Sequence, residues 1–191
     1  MQSLTEEIME TGSTTRPTYI LDLQTQKTFE DVGGKKGTSQ MGISFAALLK
    51  HNTDEIKVYT ETDINTLLDE IFSSYLIVGL NLKKFAYKVL SGYRNSDFEG
   101  VKSLDILEYI RKKIIRRLSI NDLFLGTLGI NKSIDNMKIA RLYKEKKIEE
   151  VKQITIQNVK ALNSVYSFGK QKGYVFINDR AGQRWKISVC W

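Results

Sequence analysis

The chain has one cysteine, one histidine and one proline. A lone cysteine, Cys190, excludes an internal disulfide, and with His51 as the only imidazole no Cys/His zinc cluster can form. Cys190 stands in an alternating run beside the last residue and reads as a small apolar side chain. His51 stands in the polar turn His51-Asn52-Thr53-Asp54 and reads as a surface residue. No apolar stretch reaches the roughly 18 residues of a membrane span, and no signal peptide is expected before the first strand. The expected compartment is therefore the cytoplasm, with no membrane partner. The glycines supply no phosphate cradle: Gly33-Gly34-Lys35-Lys36-Gly37-Thr38 lacks the P-loop spacing, in which Lys-Ser/Thr directly follows the second glycine. Lys27–Gln40 reads instead as a flexible, positively charged loop.

What is present is ordinary for a globular protein. Hydrophobic residues make up 41% and charged residues 27%, enough apolar material for a sizeable core. The formal charge of +7 suits phosphate backbones or acidic surfaces without requiring either. Residues 1–16 are polar and read as a mobile tail, with a brief helical turn over Leu4–Met9. Residues 17–191 read as one domain, entered through Pro17.

Four apolar runs of strand length fit one mixed sheet: Thr18–Thr25, Met41–Leu49 with its apolar part from Ile43, Ile56–Tyr59, and Tyr75–Val78 ending in Gly79. Asp22 sits near the C-terminal end of the first, where an α/β sheet opens into a crevice. Helical spacing predicts a helix capped by Asp63 with a stripe of Leu67, Leu68, Ile71 and Phe72. Further helices are predicted over Leu82–Leu90, over Ile106–Ile115 after Asp105, and from Ser119 to about Leu125. Gly126 and Gly129 are read as ending that last helix. A helix from Ser133 or Asp135 to Tyr143 and one over Ile148–Phe168 follow. Tyr174–Ile177 and Arg184–Val189 then read as a β-hairpin turning at Gly182.

In order and spacing, YILDLQTQKTFEDVGG, VGLNLKKFAYKVLSGY, SLDILEYIRKKI, RLSINDLFLGTLG and FGKQKGYVFI resemble the DEDD superfamily of 3′–5′ exonucleases. The resemblance is nearest to predicted bacterial helicase-associated exonuclease-like domains and covers about Thr18–Trp191. It implies an α/β, ribonuclease-H-like fold: a mixed central sheet flanked by helices, with a C-terminal hairpin. Active members hold two divalent ions with four carboxylates. Here the first motif keeps Asp22 but has Gln24 at its glutamate position. The Asn-x-x-x-Phe signature keeps Asn81 and Phe85 but has Ala86 at the aspartate position. The third motif aligns on Ile154 and Asn158, so its aromatic or imidazole and its aspartate are both missing. One anion cannot hold two cations about 3.5–4 Å apart. The resemblance therefore implies an inactive relative with no metal or other cofactor. Asp105, which starts a helix, and Asp122, within the next one, read as N-cap and packing-edge hydrogen-bonding residues; Glu30 and Asp31 stand several residues beyond the expected ligand position, and Glu149 and Glu150 read as a solvated helix start.

Three functions remain open. The first is a non-catalytic binder of DNA or RNA, with Lys83, Lys84 and Lys88 bordering the crevice. Lys35, Lys36, Arg111, Lys112, Lys113, Arg116 and Arg117 would extend its phosphate-binding surface. The second is a protein-interaction subunit of a nucleic-acid-processing assembly, with Tyr93, Tyr109, Tyr143 and Trp191 as candidate anchors. The third is a residual metal-dependent 3′–5′ exonuclease relying on Asp22.

Overall fold

The structure, a computed structural model, describes residues 16–94, 97–114, 118–131, 136–179 and 181–191. The expected tail turn over Leu4–Met9, the helix starts at Ser133 or Asp135, and Ile115, Arg116 and Arg117 lie outside the described residues.

Five strands form the central sheet: β1 (Thr18–Thr25), β2 (Ile43–Lys50), β3 (Ile56–Tyr59), β4 (Leu76–Gly79) and β5 (Ser103–Asp105), in the order β3-β2-β1-β4-β5. β1 runs antiparallel to β2 and parallel to β4, and β4 runs parallel to β5. With its crossing helices and a C-terminal hairpin, this is the ribonuclease-H-like arrangement. β2 is buried at every position but its last, as a strand covered on both faces must be. β5 is only three residues long, too short for an apolar run to signal it, and directly precedes the helix expected from Ile106.

Two apolar layers clamp the sheet. Leu21 and Leu23 pack with Leu67, Leu68 and Ile71 of α1 (Ile64–Ser73) and with Val89 and Leu90 of α2 (Tyr87–Leu90). On the other face Ile20 and Val78 meet α3 (Ile106–Arg111), α4 (Ile120–Leu128) and α6 (Ile148–Lys172). α5 (Asn136–Lys144) packs beside α6 through Ile139 and Leu142, against Val151. No helix among the described residues is long and apolar enough to cross a membrane.

Several local expectations are refined. Asp63 holds the N-cap position of α1, but its side chain makes no cap bond there: it is the third residue of a 3-10 turn, Glu61–Asp63, and its carboxylate accepts from the Thr60 amide at 3.1 Å. Phe72 leaves the buried stripe and stacks on Phe98 at the surface. The Lys27–Gln40 stretch is wound into two 3-10 turns, Glu30–Val32 and Lys35–Gln40, and buries Gly37 and Thr38. His51 is half-buried: its Nδ1 lies 3.0 Å from Asn163 Oδ1, and its ring meets Tyr166 edge-on. Cys190 is exposed and lies beyond the last strand.

The hairpin, β6 (Tyr174–Asn178) and β7 (Arg184–Ser188), is a separate two-stranded sheet. Gly126 does not end α4. It is buried inside it, where a Cβ would come within 2.6 Å of the Ile177 backbone. Only glycine lets β6 lie this close. Thr127 seals the contact, its hydroxyl donating to the Phe176 carbonyl at 2.7 Å and accepting the Phe176 N–H at 3.1 Å. That covers the free edge of β6 with a helix.

Candidate functional site

From β1 the chain first builds outward to β3, then crosses to β4 and β5 on the other side. The direction reverses between β1 and β4, and open α/β sheets form their ligand crevice at the C-terminal ends of the strands flanking such a switch. Here those ends carry Asp22 and Gln24 on β1, the turn after Gly79 on β4, and Asp105 on β5.

Asp22 and Gln24 follow Ile20 at two-residue spacing, share its face and so look toward α6, where Asn158 sits in the buried stripe with Val151, Thr155, Val159 and Leu162. The three side chains join. Gln24 Nε2 donates to Asp22 Oδ2 at 2.7 Å, and Asn158 Nδ2 donates to the same oxygen at 3.1 Å. Gln24 and Asn158 are only 3% and 2% exposed. The amide orientations follow from the charge: turned the other way, each would set a carbonyl oxygen against a carboxylate oxygen. Asn158 Oδ1 is left buried without a hydrogen-bond partner among the described residues, a cost of about 1–3 kcal/mol accepted to place its N–H groups.

This donor set does not fit a divalent pair. A hard cation needs several anionic oxygens aimed at it. Here one carboxylate meets two N–H donors, whose partial positive charges stand where a cation's charge would act. No group of three or more His, Cys, Asp or Glu among the described residues is placed to hold a metal ion. Ala86, the remaining position expected from the resemblance, is buried in the cluster of Leu21 and Leu23, which line the other face of β1.

The expected helix over Leu82–Leu90 starts as a π turn, Leu82–Ala86, in which the Tyr87 N–H reaches the Leu82 carbonyl. Asn81 enters it with φ +52°. Asp105 holds the turn from below: one oxygen accepts the Leu82 N–H at 2.8 Å, the other caps α3 at Glu108 N, 3.0 Å away. Lys83 and Lys84 stand in this turn, and Lys88 follows on α2. All three are exposed and form no salt bridge among the described residues.

The other basic candidates are placed differently. Lys35 and Lys36 are exposed on the 3-10 turn before β2. Arg111 is half-buried and straps the fold, donating to Asn81 Oδ1 at 3.3 Å and to the Leu118 carbonyl at 3.1 Å. Lys112 pairs with Glu108 at 3.3 Å. Lys113 donates to the Ser188 carbonyl at 3.0 Å. Lys83 and Lys112 share a cleft of about 190 Å³ with Asp105 and Glu108.

One basic group was missed. Lys138, Arg141 and Lys144 recur every third residue along α5 and line a cleft of about 680 Å³ opposite Glu30 and Asp31. Lys144 Nζ lies 2.9 Å from both Asp31 oxygens. The Thr28 amide, then Lys144 and the Thr28 hydroxyl, pull the Asp31 carboxyl down to about 2. The three-residue spacing was the available signal.

No family model matches the chain, and no curated protein matches it significantly. Among solved structures it is similar to the family B DNA polymerase from the hyperthermophilic archaeon Pyrobaculum calidifontis, with a TM-score of 0.60 and 12% identity. The match covers 82% of this chain but only 24% of the polymerase, so the chain spans about a quarter of that protein's length. At this identity the likeness is one of fold, a nuclease-like scaffold in general outline.

Proposed function

We propose that this chain is a catalytically inactive member of the DEDD exonuclease fold group that binds nucleic acid through a basic surface beside the β1–β4 crevice. The observation that carries the reading is the closure of Asp22 by the Gln24 and Asn158 amides. Two-metal hydrolysis calls for acid oxygens at those positions. Amides at the same positions remove both the metal and the negative charge that would repel a phosphate backbone without one. The exposed lysines of the π turn, which follows β4, supply the opposite charge on that side of the sheet.

The test is binding of single- and double-stranded oligonucleotides across a salt series. Affinity is expected to fall steeply with salt and to depend little on base sequence. Lys83→Ala/Lys84→Ala/Lys88→Ala should lower the slope of log K against log salt by about 2–3. Binding that is absent, or insensitive to salt, refutes the reading. Metal-dependent degradation abolished by Asp22→Ala would establish residual exonuclease activity in its place.

A second reading, a protein-interaction subunit, draws on the hairpin. The outer edge of β7 is exposed and carries Trp185, 43% exposed, between Arg184 and Lys186. An open strand edge with an aromatic anchor suits pairing with a partner strand. Co-purification of a defined protein, lost on Trp185→Ala and retained after high-salt removal of nucleic acid, would favour it.

A further inference from the structure

A second groove lies at the other end of the same parallel strands. It encloses about 430 Å³ beside Thr18, Leu76 and Ser103, the first residues of β1, β4 and β5. Its character comes from three rings and two cations: Tyr75, Tyr166 and Trp191 with Lys102 and Lys170. No acidic side chain lines it, and neither lysine makes a salt bridge, among the described residues.

The rings are held at different depths. Tyr166 is buried and forms the floor. Trp191 is half-buried and fixed: its Nε1 donates to the Tyr166 carbonyl at 3.1 Å, and its ring meets Tyr109 edge-on. The indole lies against Gly169 of α6, where a Cβ would come within 2.4 Å of a ring carbon. Tyr75 stands at the rim, 53% exposed, with Lys102 Nζ 4.1 Å from its ring centroid and 2.8 Å from its hydroxyl. Lys170 Nζ lies 5.8 Å from the Tyr166 centroid.

Three of the groove's residues, Tyr166, Lys170 and Trp191, come from one C-terminal stretch. Residues 166–191 hold Tyr166, Phe168, Tyr174, Phe176, Trp185 and Trp191, together with five lysines or arginines and one acid, Asp179. Rings interleaved with cations in a groove without acidic side chains favour a ligand that is planar at one end and anionic at the other. A purely apolar ligand would leave the lysines without a role, and a bare anion would leave the exposed tyrosine without one.

We propose that this groove binds a nucleotide unit, its base against Tyr75 and Trp191 and its phosphate between Lys102 and Lys170. The unit is either a free nucleoside monophosphate or one residue of a single strand; both present the same base and phosphate. The site is separate from the β1–β4 crevice and does not depend on the function proposed for it.

The test uses the full chain with Trp185→Phe, which leaves Trp191 as the sole tryptophan reporter. Adenosine monophosphate, adenosine, inorganic phosphate and a short single-stranded oligodeoxyadenylate are titrated while Trp191 fluorescence is followed. Saturable quenching by the monophosphate identifies a free-nucleotide site, and quenching by the oligonucleotide alone identifies a strand site. Adenosine and phosphate should each bind more weakly than whichever of these quenches. Tyr75→Ala should weaken binding about tenfold, within the range for loss of one stacked base. Lys102→Glu/Lys170→Glu should weaken it at least as much. Tyr75, Lys102 and Lys170 are exposed, so the variants should keep the wild-type circular dichroism. No quenching at millimolar ligand, or quenching that both groove variants retain, overturns the proposal.

Discussion

If side-chain amides hold Asp22 where acids would hold metal, restoring an acid should destabilise the chain in a way that depends on pH. Asn158→Asp is the sharpest case. It removes the 3.1 Å N–H donor and places a second carboxylate beside the first, at a position only 2% exposed. Two unit charges about 4 Å apart interact by about 4 kcal/mol at an effective dielectric constant of 20. The pair can escape by binding one proton. At pH 7 that costs a carboxyl of ordinary pKa near 4 about 1.4 kcal/mol per pH unit, again about 4 kcal/mol. Both routes give the same ceiling. At pH 5 the escape costs only about 1.4 kcal/mol, because little work is needed to keep one carboxyl protonated.

The sign follows from linkage. The folded pair has its apparent pKa raised above the unfolded value. Its stability relative to the native chain is therefore best at low pH and is lost as pH rises through the raised value. Urea denaturation at pH 5, 6 and 7 should show the gap between native and Asn158→Asp chains widening from about 1–2 to about 4 kcal/mol. A gap that is flat across this range would refute the picture of Asp22 as a carboxylate held by amides. Metal gives a second measurement. In Gln24→Glu/Asn158→Asp three carboxylates converge, and manganese at about a hundred times its dissociation constant should return about 2.7 kcal/mol. The native chain should show no such rise in melting temperature. If it does, Asp22 holds metal with partners other than Gln24 and Asn158.

Other consequences can be checked separately. Burial pushes the Tyr87 phenol up to about 12, while its hydrogen bond with Ser103 at 2.6 Å works the other way. A raised folded pKa contributes stability below pH 10 that is lost as pH rises through about 12, so native stability should fall across that window and fall less in Tyr87→Phe. That substitution itself should cost about 1 kcal/mol near neutrality, for one lost hydrogen bond. The Asp31 carboxyl, held down to about 2, contributes stability that is lost as pH falls from about 4 through about 2. Lys144→Ala should move its NMR titration midpoint upward but not fully to the ordinary value, because the Thr28 donors remain. Gly126→Ala should destabilise by about 3 kcal/mol, since the new methyl meets the Ile177 backbone rather than a side chain that can turn away. An unchanged urea midpoint would show that β6 does not rest on α4 as described.

The sheet was legible because its strands announce themselves locally. Thr18–Thr25, Ile56–Tyr59 and the run ending at Gly79 carry β-branched, aromatic and leucine side chains between polar turns, and local composition settles such runs. The convergence of Asp22, Gln24 and Asn158 was legible only through motif order. Nothing local marks Asn158, which sits 136 residues from Asp22 as one polar position in an apolar helical stripe. Other features were lost because their cause is distant in sequence. His51 is tied down by Asn163, Gly126 is required by a strand about 50 residues later, and the π turn depends on Asp105 taking the Leu82 N–H. One loss was avoidable. Glu108 stands four residues before Lys112, a spacing that predicts an ion pair and so less free charge for phosphate.

The groove at the N-terminal ends was hidden for a further reason. Tyr75 and Lys102 lie in loops that enter β4 and β5, while Lys170 and Trp191 come from the end of α6 and the last residue. Read singly, each ring has an ordinary packing role and each lysine an ordinary solvent role. Only the parallel pairing of β1, β4 and β5 brings the loops before them to one end of the sheet. The same pairing sends the loops after them, with the lysines of the π turn, to the other end. One topological fact thus creates two rims of different chemistry. At one, the amide N–H groups of Gln24 and Asn158 answer the Asp22 carboxylate. At the other, cations stand over rings with no acid to neutralise them. Charge reversal at one rim should therefore leave the other's binding unchanged, and a nucleic acid held at both would lose affinity by independent, roughly additive steps.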